Sequence, residues 1–208
     1  MKKIIAYILM GIMVFSLSGC GAADFDAKGY VEAALDAKFH REYKEYAKIT
    51  GVSEEEAKEQ MESEFNESLE TAMQGMGLSI TEEEMTQYIQ MEADIRAKVQ
   101  YTVKDAVKDD DGNYTVDVEI TPIPAYDNLN TVFTDKLTAA VQNGATEDQY
   151  MGVFLESFQE CIDSAVAGEP VTFTFHVTGE ENGLQTVYSV SEDEMLNVDL
   201  LATGQEME

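Results

Sequence analysis

The chain has 208 residues with 41 acidic against 13 basic side chains, a net charge of −28, two Cys and no Trp. Such a surface repels nucleic acid and anionic lipid, which excludes nucleic-acid binding and leaves cations or basic proteins as natural partners. The charge is uneven as well. Lys136 is the last basic residue, and the 72 residues after it carry 14 acids and one histidine, His176.

Lys2 and Lys3 precede an apolar run from Ile4 to Leu17, 14 residues long. That is short for a hydrocarbon core of roughly 30 Å and typical of the apolar region of a signal peptide. The run ends in Leu17-Ser18-Gly19-Cys20, which resembles a bacterial lipobox. The resemblance implies cleavage between Gly19 and Cys20, lipid attachment at Cys20, and residence on the outer face of the cytoplasmic membrane. Residues 1–19 are then the leader, 20–25 a short tether, 26–203 a single α+β domain and 204–208 a frayed tail. Removing the leader leaves about 189 residues, enough for one domain with a sizeable core. With Cys20 acylated, Cys161 has no partner in the chain, and its neighbours Phe154, Phe158, Ile162 and Ala165 at helical spacing predict a buried, inert thiol.

From Phe25 to Ile49, Val31, Leu35, Phe39, Tyr43 and Tyr46 recur at spacings of three and four, which predicts one continuous helix. Lys38, Arg41, Lys44 and Lys48 fall off that face. They are candidates to rest on anionic head groups, or else to pair with Glu42 and Glu45 along the helix. Ser53-Glu54-Glu55-Glu56 reads as a capping box opening a second helix, with Ala57, Met61, Phe65, Leu69 and Met73 as its seam. Thr81-Glu82-Glu83-Glu84 opens a third, which runs to about Lys98 and carries one polar intruder, Glu92, on its apolar face.

The period then falls to two. Val99, Tyr101 and Val103, then Tyr114, Val116, Val118 and Ile120, alternate with polar residues and predict a hairpin. Asp109-Asp110-Asp111-Gly112-Asn113 lies between them. Counted as a calcium loop it would need glycine sixth and glutamate twelfth, where Tyr114 and Ile120 stand, so a turn is expected. After Pro122 and Pro124 come two more helices, around 129–144 and 146–168, and a second hairpin over Val171–Val177 and Leu184–Val190. Ser191-Glu192-Asp193-Glu194 caps a last helix.

The expected architecture is α+β: an antiparallel sheet of about four strands in two hairpins, covered on one face by five or six helices. An αα-ββ unit occurs twice in it, over 53–121 and 126–190. Two separate two-stranded sheets are the alternative.

The lipobox and tether, Phe25-Asp26-Ala27-Lys28-Gly29-Tyr30-Val31, Tyr46-Ala47-Lys48-Ile49-Thr50-Gly51-Val52-Ser53-Glu54-Glu55-Glu56-Ala57, Gly112-Asn113-Tyr114-Thr115-Val116 and Ser191-Glu192-Asp193-Glu194 together resemble uncharacterised lipoproteins of Gram-positive bacteria, clostridia especially. The resemblance implies a lipid-anchored, extracytoplasmic protein, with a cystatin-like or nuclear-transport-factor-like fold, and brings no catalytic motif.

The residues themselves point away from familiar chemistries. His40 and His176 are the two histidines, and there is no Gly-x-Ser-x-Gly elbow, metal-ligand spacing, phosphate loop or dinucleotide fingerprint. No cofactor, metal or enzymatic activity is therefore expected. The reading is a noncatalytic binding or accessory module for a protein, peptide or cell-wall ligand, with Tyr30, Tyr43, Tyr88, Tyr126 and Tyr150 as candidate groove lining. A hydrolase using paired carboxylates is the alternative.

Overall fold

The structure is a computed structural model and describes residues 15–16, 25–77, 79–182 and 185–205. The lipobox, with Gly19 and Cys20, lies outside the described residues. Among those described are seven α-helices: α1 (Ala27–Leu35), α2 (Lys44–Thr50), α3 (Glu54–Met76), α4 (Glu82–Arg96), α5 (Leu129–Gln142), α6 (Tyr150–Ser164) and α7 (Glu192–Thr203). The strands are β1 (Phe15–Ser16), β2 (Gln100–Val103), β3 (Val107–Lys108), β4 (Tyr114–Thr121), β5 (Val171–Asn182) and β6 (Gln185–Ser189).

The two hairpins join into one antiparallel sheet, ordered β1-β6-β5-β4-β2 with β3 also on β4. The seam is the β4–β5 pairing from Tyr114↔Val177 to Ile120↔Val171. Along β4, Tyr114, Val116, Val118 and Ile120 are buried while Thr115, Asp117 and Glu119 are exposed, so one sheet face carries the core and the other meets water. Across the first hairpin the register runs from Gln100↔Thr121 to Val103↔Val118, then slips by one residue to Val107↔Thr115. The extra residue is absorbed at Asp105-Ala106, a bulge that bends the strand. The expected turn follows, with Asp109 Oδ1 accepting from the Asp111 and Asn113 N–H groups and Gly112 at φ 87°.

The helix starts form as their sequences predict. Ser53 with Glu56 and Thr81 with Glu84 make reciprocal capping boxes, and Ser191 caps α7. On α3, Ala57, Met61, Leu69 and Met73 are buried. Helix α5 is more exposed than its apolar pattern suggests. Only Leu129 is fully buried, because the helix lies outermost and packs on α6.

The continuous helix expected over residues 25–49 is broken. After α1 the chain widens into a π-helical turn, Asp36–His40, and Arg41 takes a left-handed φ of 57° before α2 begins. The Arg41 and Glu42 N–H groups both reach the Asp36 carbonyl. The wider turn lets three consecutive residues, Ala37, Lys38 and Phe39, all be buried, which one face of a regular helix does not accommodate.

At the other end, Gly204 caps α7 at φ 76°, and the Gln205 N–H donates to the Leu200 carbonyl at 2.8 Å.

Candidate functional site

The most concentrated chemistry lies inside the core. The π turn points Lys38 inward, α4 presents Glu92 and Arg96 one turn apart, and α7 supplies Asp199; they are 8%, 1%, 2% and 0% exposed respectively. Arg96 grips Asp199 with two parallel bonds, Nε–Oδ1 at 3.0 Å and Nη2–Oδ2 at 2.8 Å. Its Nη1 donates to Glu92 Oε2 at 2.5 Å and to the Glu92 carbonyl at 3.1 Å. Lys38 Nζ stands 3.7 Å from Asp199 Oδ1, and the Tyr126 hydroxyl donates to Glu92 Oε1. Beneath the guanidinium, 5.1 Å away, lies the ring of Phe65, which also faces Arg41 at 5.7 Å.

Two cations and two anions balance, so this buried cluster is close to neutral. For Arg96, burial works against the charge, but Asp199 and Glu92 outweigh it and hold the group well above its usual range. For Asp199, burial also opposes ionisation, and the Arg96 and Lys38 charges more than compensate, holding the carboxyl below its ordinary value. Lys38 is the loser of the set. Burial outweighs its attraction to Asp199 and brings it down to about 8. Beside the cluster is a cavity of about 20 Å³ between Lys38, Arg41, Tyr43, Phe65 and Arg96, room for roughly one water molecule. The cluster ties the π turn, α4 and α7 together, and its charges are engaged with one another.

The accessible concavity is elsewhere, on the helical face. A groove of about 1030 Å³ is bounded by the start of α4, by Lys136 of α5 and by one face of α6. Glu83 and Glu84 line one wall, and Glu156, Glu160 and Asp163 recur at helical spacing on the other. Gly152 and Leu155 supply uncharged lining, and a β-carbon added at Gly152 would meet nothing within 4 Å. Lys136 is the one cation in this lining and pairs with Glu160 at 2.9 Å.

The five tyrosines named from the sequence do not line this groove. Tyr30, Tyr43 and Tyr88 are buried in the core, Tyr30 and Tyr88 because the faces of α1 and α4 that carry them meet the sheet and α6, and Tyr43 at the start of α2. Tyr43 is pushed up to about 12 by burial and by the Glu62 carboxylate that it touches. Tyr126 packs against Phe158 with the rings tilted and its hydroxyl in the charge cluster, and Tyr150 is half-buried at the start of α6.

The expected basic stripe is also divided. Lys38 is turned into the core and cannot face a membrane, whereas Arg41, Lys44 and Lys48 are exposed, with Lys48 paired to Glu45 at 2.9 Å. Cys161 is buried, and burial pushes its thiol up. His176 faces solvent as its strand position implies, where Glu194 accepts from its backbone N–H at 3.1 Å and its Nδ1–H at 2.6 Å. His40 bonds the Val99 carbonyl and stacks on Tyr101, whose hydroxyl donates to Asp36.

Glu92 and Asp199, the anions of the cluster, escaped the sequence reading as functional residues. Their signal was an acid in an otherwise apolar helical stripe, visible for Glu92 and also present for Asp199 between Val198 and Leu200. Among the described residues no group of three or more His, Cys, Asp or Glu side chains is placed to hold a metal ion, and no helix is long and apolar enough to cross a membrane.

A family model described as "Domain of unknown function (DUF5105)" matches residues 27–178. A crystal structure of the Bacillus subtilis protein ycdA, provisionally described as a lipoprotein, is similar in fold with a TM-score of 0.57 at 15% sequence identity. The match covers 88% of this chain and 56% of that one, so this chain spans little more than half the length of that relative. None of the curated proteins matches the chain.

Proposed function

The chain belongs to the DUF5105 family, and we propose that it is a noncatalytic binding or accessory module, held by lipid on Cys20 at the outer face of the cytoplasmic membrane of a Gram-positive bacterium. The observation that carries the binding role is the open groove between α4 and α6, whose five carboxylates face one lysine. Such a lining favours a cationic ligand: a basic peptide, a basic protein segment, or a cell-wall fragment bearing free amines. The charged groups that are buried and tightly hydrogen-bonded, Lys38, Glu92, Arg96 and Asp199, neutralise one another and are absent from the groove lining. The anchor is supported by Leu17-Ser18-Gly19-Cys20 and by the similarity to a Bacillus subtilis protein provisionally described as a lipoprotein.

Titration calorimetry of the lipoprotein in mild detergent, with pentalysine and with a lysine-containing wall stem peptide as probes, tests the ligand class. Binding of one probe, weakened about tenfold or more by Glu156→Lys with Glu160→Lys, is the expected result. Absence of heat with both probes, or an unchanged affinity in the variant, would overturn the reading. The anchor is tested by metabolic labelling with an alkyne fatty acid, which Cys20→Ala should abolish.

A further inference from the structure

We propose that the outer edge of β6 is a strand-accepting surface whose partner is an extended protein segment with an uncharged, β-branched or apolar centre and basic residues on both sides. This does not rest on the groove, but it rests on the proposed removal of the leader before Cys20.

The edge already receives extended backbone. Among the described residues β6 ends the sheet on this side except for β1, whose Phe15 and Ser16 pair antiparallel with Tyr188 and Val187. Those two residues belong to the apolar run expected to be removed before Cys20, so in the mature chain the edge is offered to another segment. Ladder bonds use only backbone groups, and an edge that pairs with one extended segment is chemically able to pair with another.

Edge strands in soluble proteins are usually guarded by lysine, proline or a bulge, because an open row of N–H and C=O groups invites pairing. The opposite edge, β2, has Lys98 and Lys104 just beyond its two ends, and a bulge follows. Residues 185–189, Gln-Thr-Val-Tyr-Ser, have no charge and no proline, in a chain where 26% of residues are charged. The strand is also held rigid from within. Tyr188 stacks on Phe25 with ring centres 4.1 Å apart and planes within 5°, while Tyr114 meets it edge-on. A preformed edge lowers the ordering cost of adding a strand.

Charge selects the partner. Exposed Glu180 and Glu181 on β5 stand in register with Val187 and Thr186, and Glu192 and Asp193 begin the helix that follows β6. No Lys or Arg occurs after residue 136. A neutral edge framed by carboxylates fits a segment with a neutral centre and basic flanks, and disfavours a second copy of this acidic chain.

The test uses the lipidated protein in detergent and a fluorescent nonapeptide of alternating threonine and valine between lysine pairs. A second peptide of identical charge carries N-methyl groups on its valine amides. We expect saturable anisotropy, affinity for the methylated peptide lower by about tenfold or more from the lost ladder bonds, and hydrogen-exchange protection gained by β6 amides when the first peptide binds. The proposal falls if neither peptide binds, if both bind within about twofold, which would mean charge alone, or if β6 amides gain no protection. It also falls if the unliganded protein is a dimer with β6 already protected, because the edge would then belong to a second copy.

Discussion

Replacing Asp199 by alanine removes the bidentate partner of a fully buried arginine and the counter-ion of a buried lysine in one step. The two Arg96–Asp199 bonds, at 3.0 and 2.8 Å, are lost, and Lys38 and Arg96 then share a buried site in which Glu92 is the remaining anion of the cluster. Leaving a buried charge uncompensated typically costs 3–5 kcal/mol, so a loss of about 4 kcal/mol is expected for Asp199→Ala. For the roughly 180 described residues, an unfolding entropy of about 2.1 cal/mol/K per residue converts this to a fall in Tm of about 10 °C. Urea unfolding followed by circular dichroism measures the loss, and an unchanged m-value keeps the comparison within two states. The double variant Arg96→Met with Asp199→Leu should be less destabilised than the sum of its single variants, since apolar groups of similar size tolerate the site better than one orphaned charge. A loss below about 1 kcal/mol for Asp199→Ala would refute the reasoning, because it would mean that water reaches the pair.

The pH dependence of stability should carry two signatures of the same cluster. The Asp199 carboxyl is held below its ordinary value, so its contribution is complete above about pH 4 and is lost as pH falls through the folded pKa. Lys38 titrates near 8 in the fold against 10.5 when unfolded. The unfolded chain therefore binds the extra proton between those values, stability rises across that window by roughly 3 kcal/mol, and Lys38→Met should flatten the rise in urea titrations from pH 7 to 11. Gly204→Ala should cost about 2 kcal/mol or more by thermal unfolding, because a β-carbon there would stand 2.5 Å from Pro124 Cα on a backbone at φ 76°. Cys161 should label with a thiol reagent only at the rate of unfolding at pH 8, since burial both shields the sulfur and raises its pKa; rapid native labelling would contradict its place in the core.

The cluster bears on the proposed binding groove by what it holds in place. Helix α4 supplies both Arg96 and, at its start, Glu83 and Glu84 of the groove. Arg96 and Lys38, both on Asp199, lock the C-terminal end of α4 to α7 and the π turn, at the other end of the helix from those carboxylates. Loosening the cluster should therefore blur the groove before the sheet is disturbed.

Local patterns were legible wherever one residue type answers one local need. Serine or threonine three residues before glutamate satisfied the first N–H groups of α3 and α4, and period-two alternation along Tyr114–Ile120 set which sheet face is buried. The αα-ββ order followed from those signals alone. Other features depended on residues far apart in the chain. The sequence between 36 and 41 is compatible with a regular helix, and the widened turn there buries Lys38 against an aspartate 161 positions away on α7. The tyrosines illustrate the same limit, since helical spacing marks a face without saying whether water or another layer lies against it; Tyr30 and Tyr88 proved to be core. Joining of the two hairpins through β4 and β5, and the groove where α4 meets α6, likewise arose only on packing. The sequence by itself determined the charge, the caps and the order of elements, because these depend on neighbours within a few residues. Tertiary structure alone decided which charges were buried together and which faces stayed open, because those depend on the layers that meet at each position.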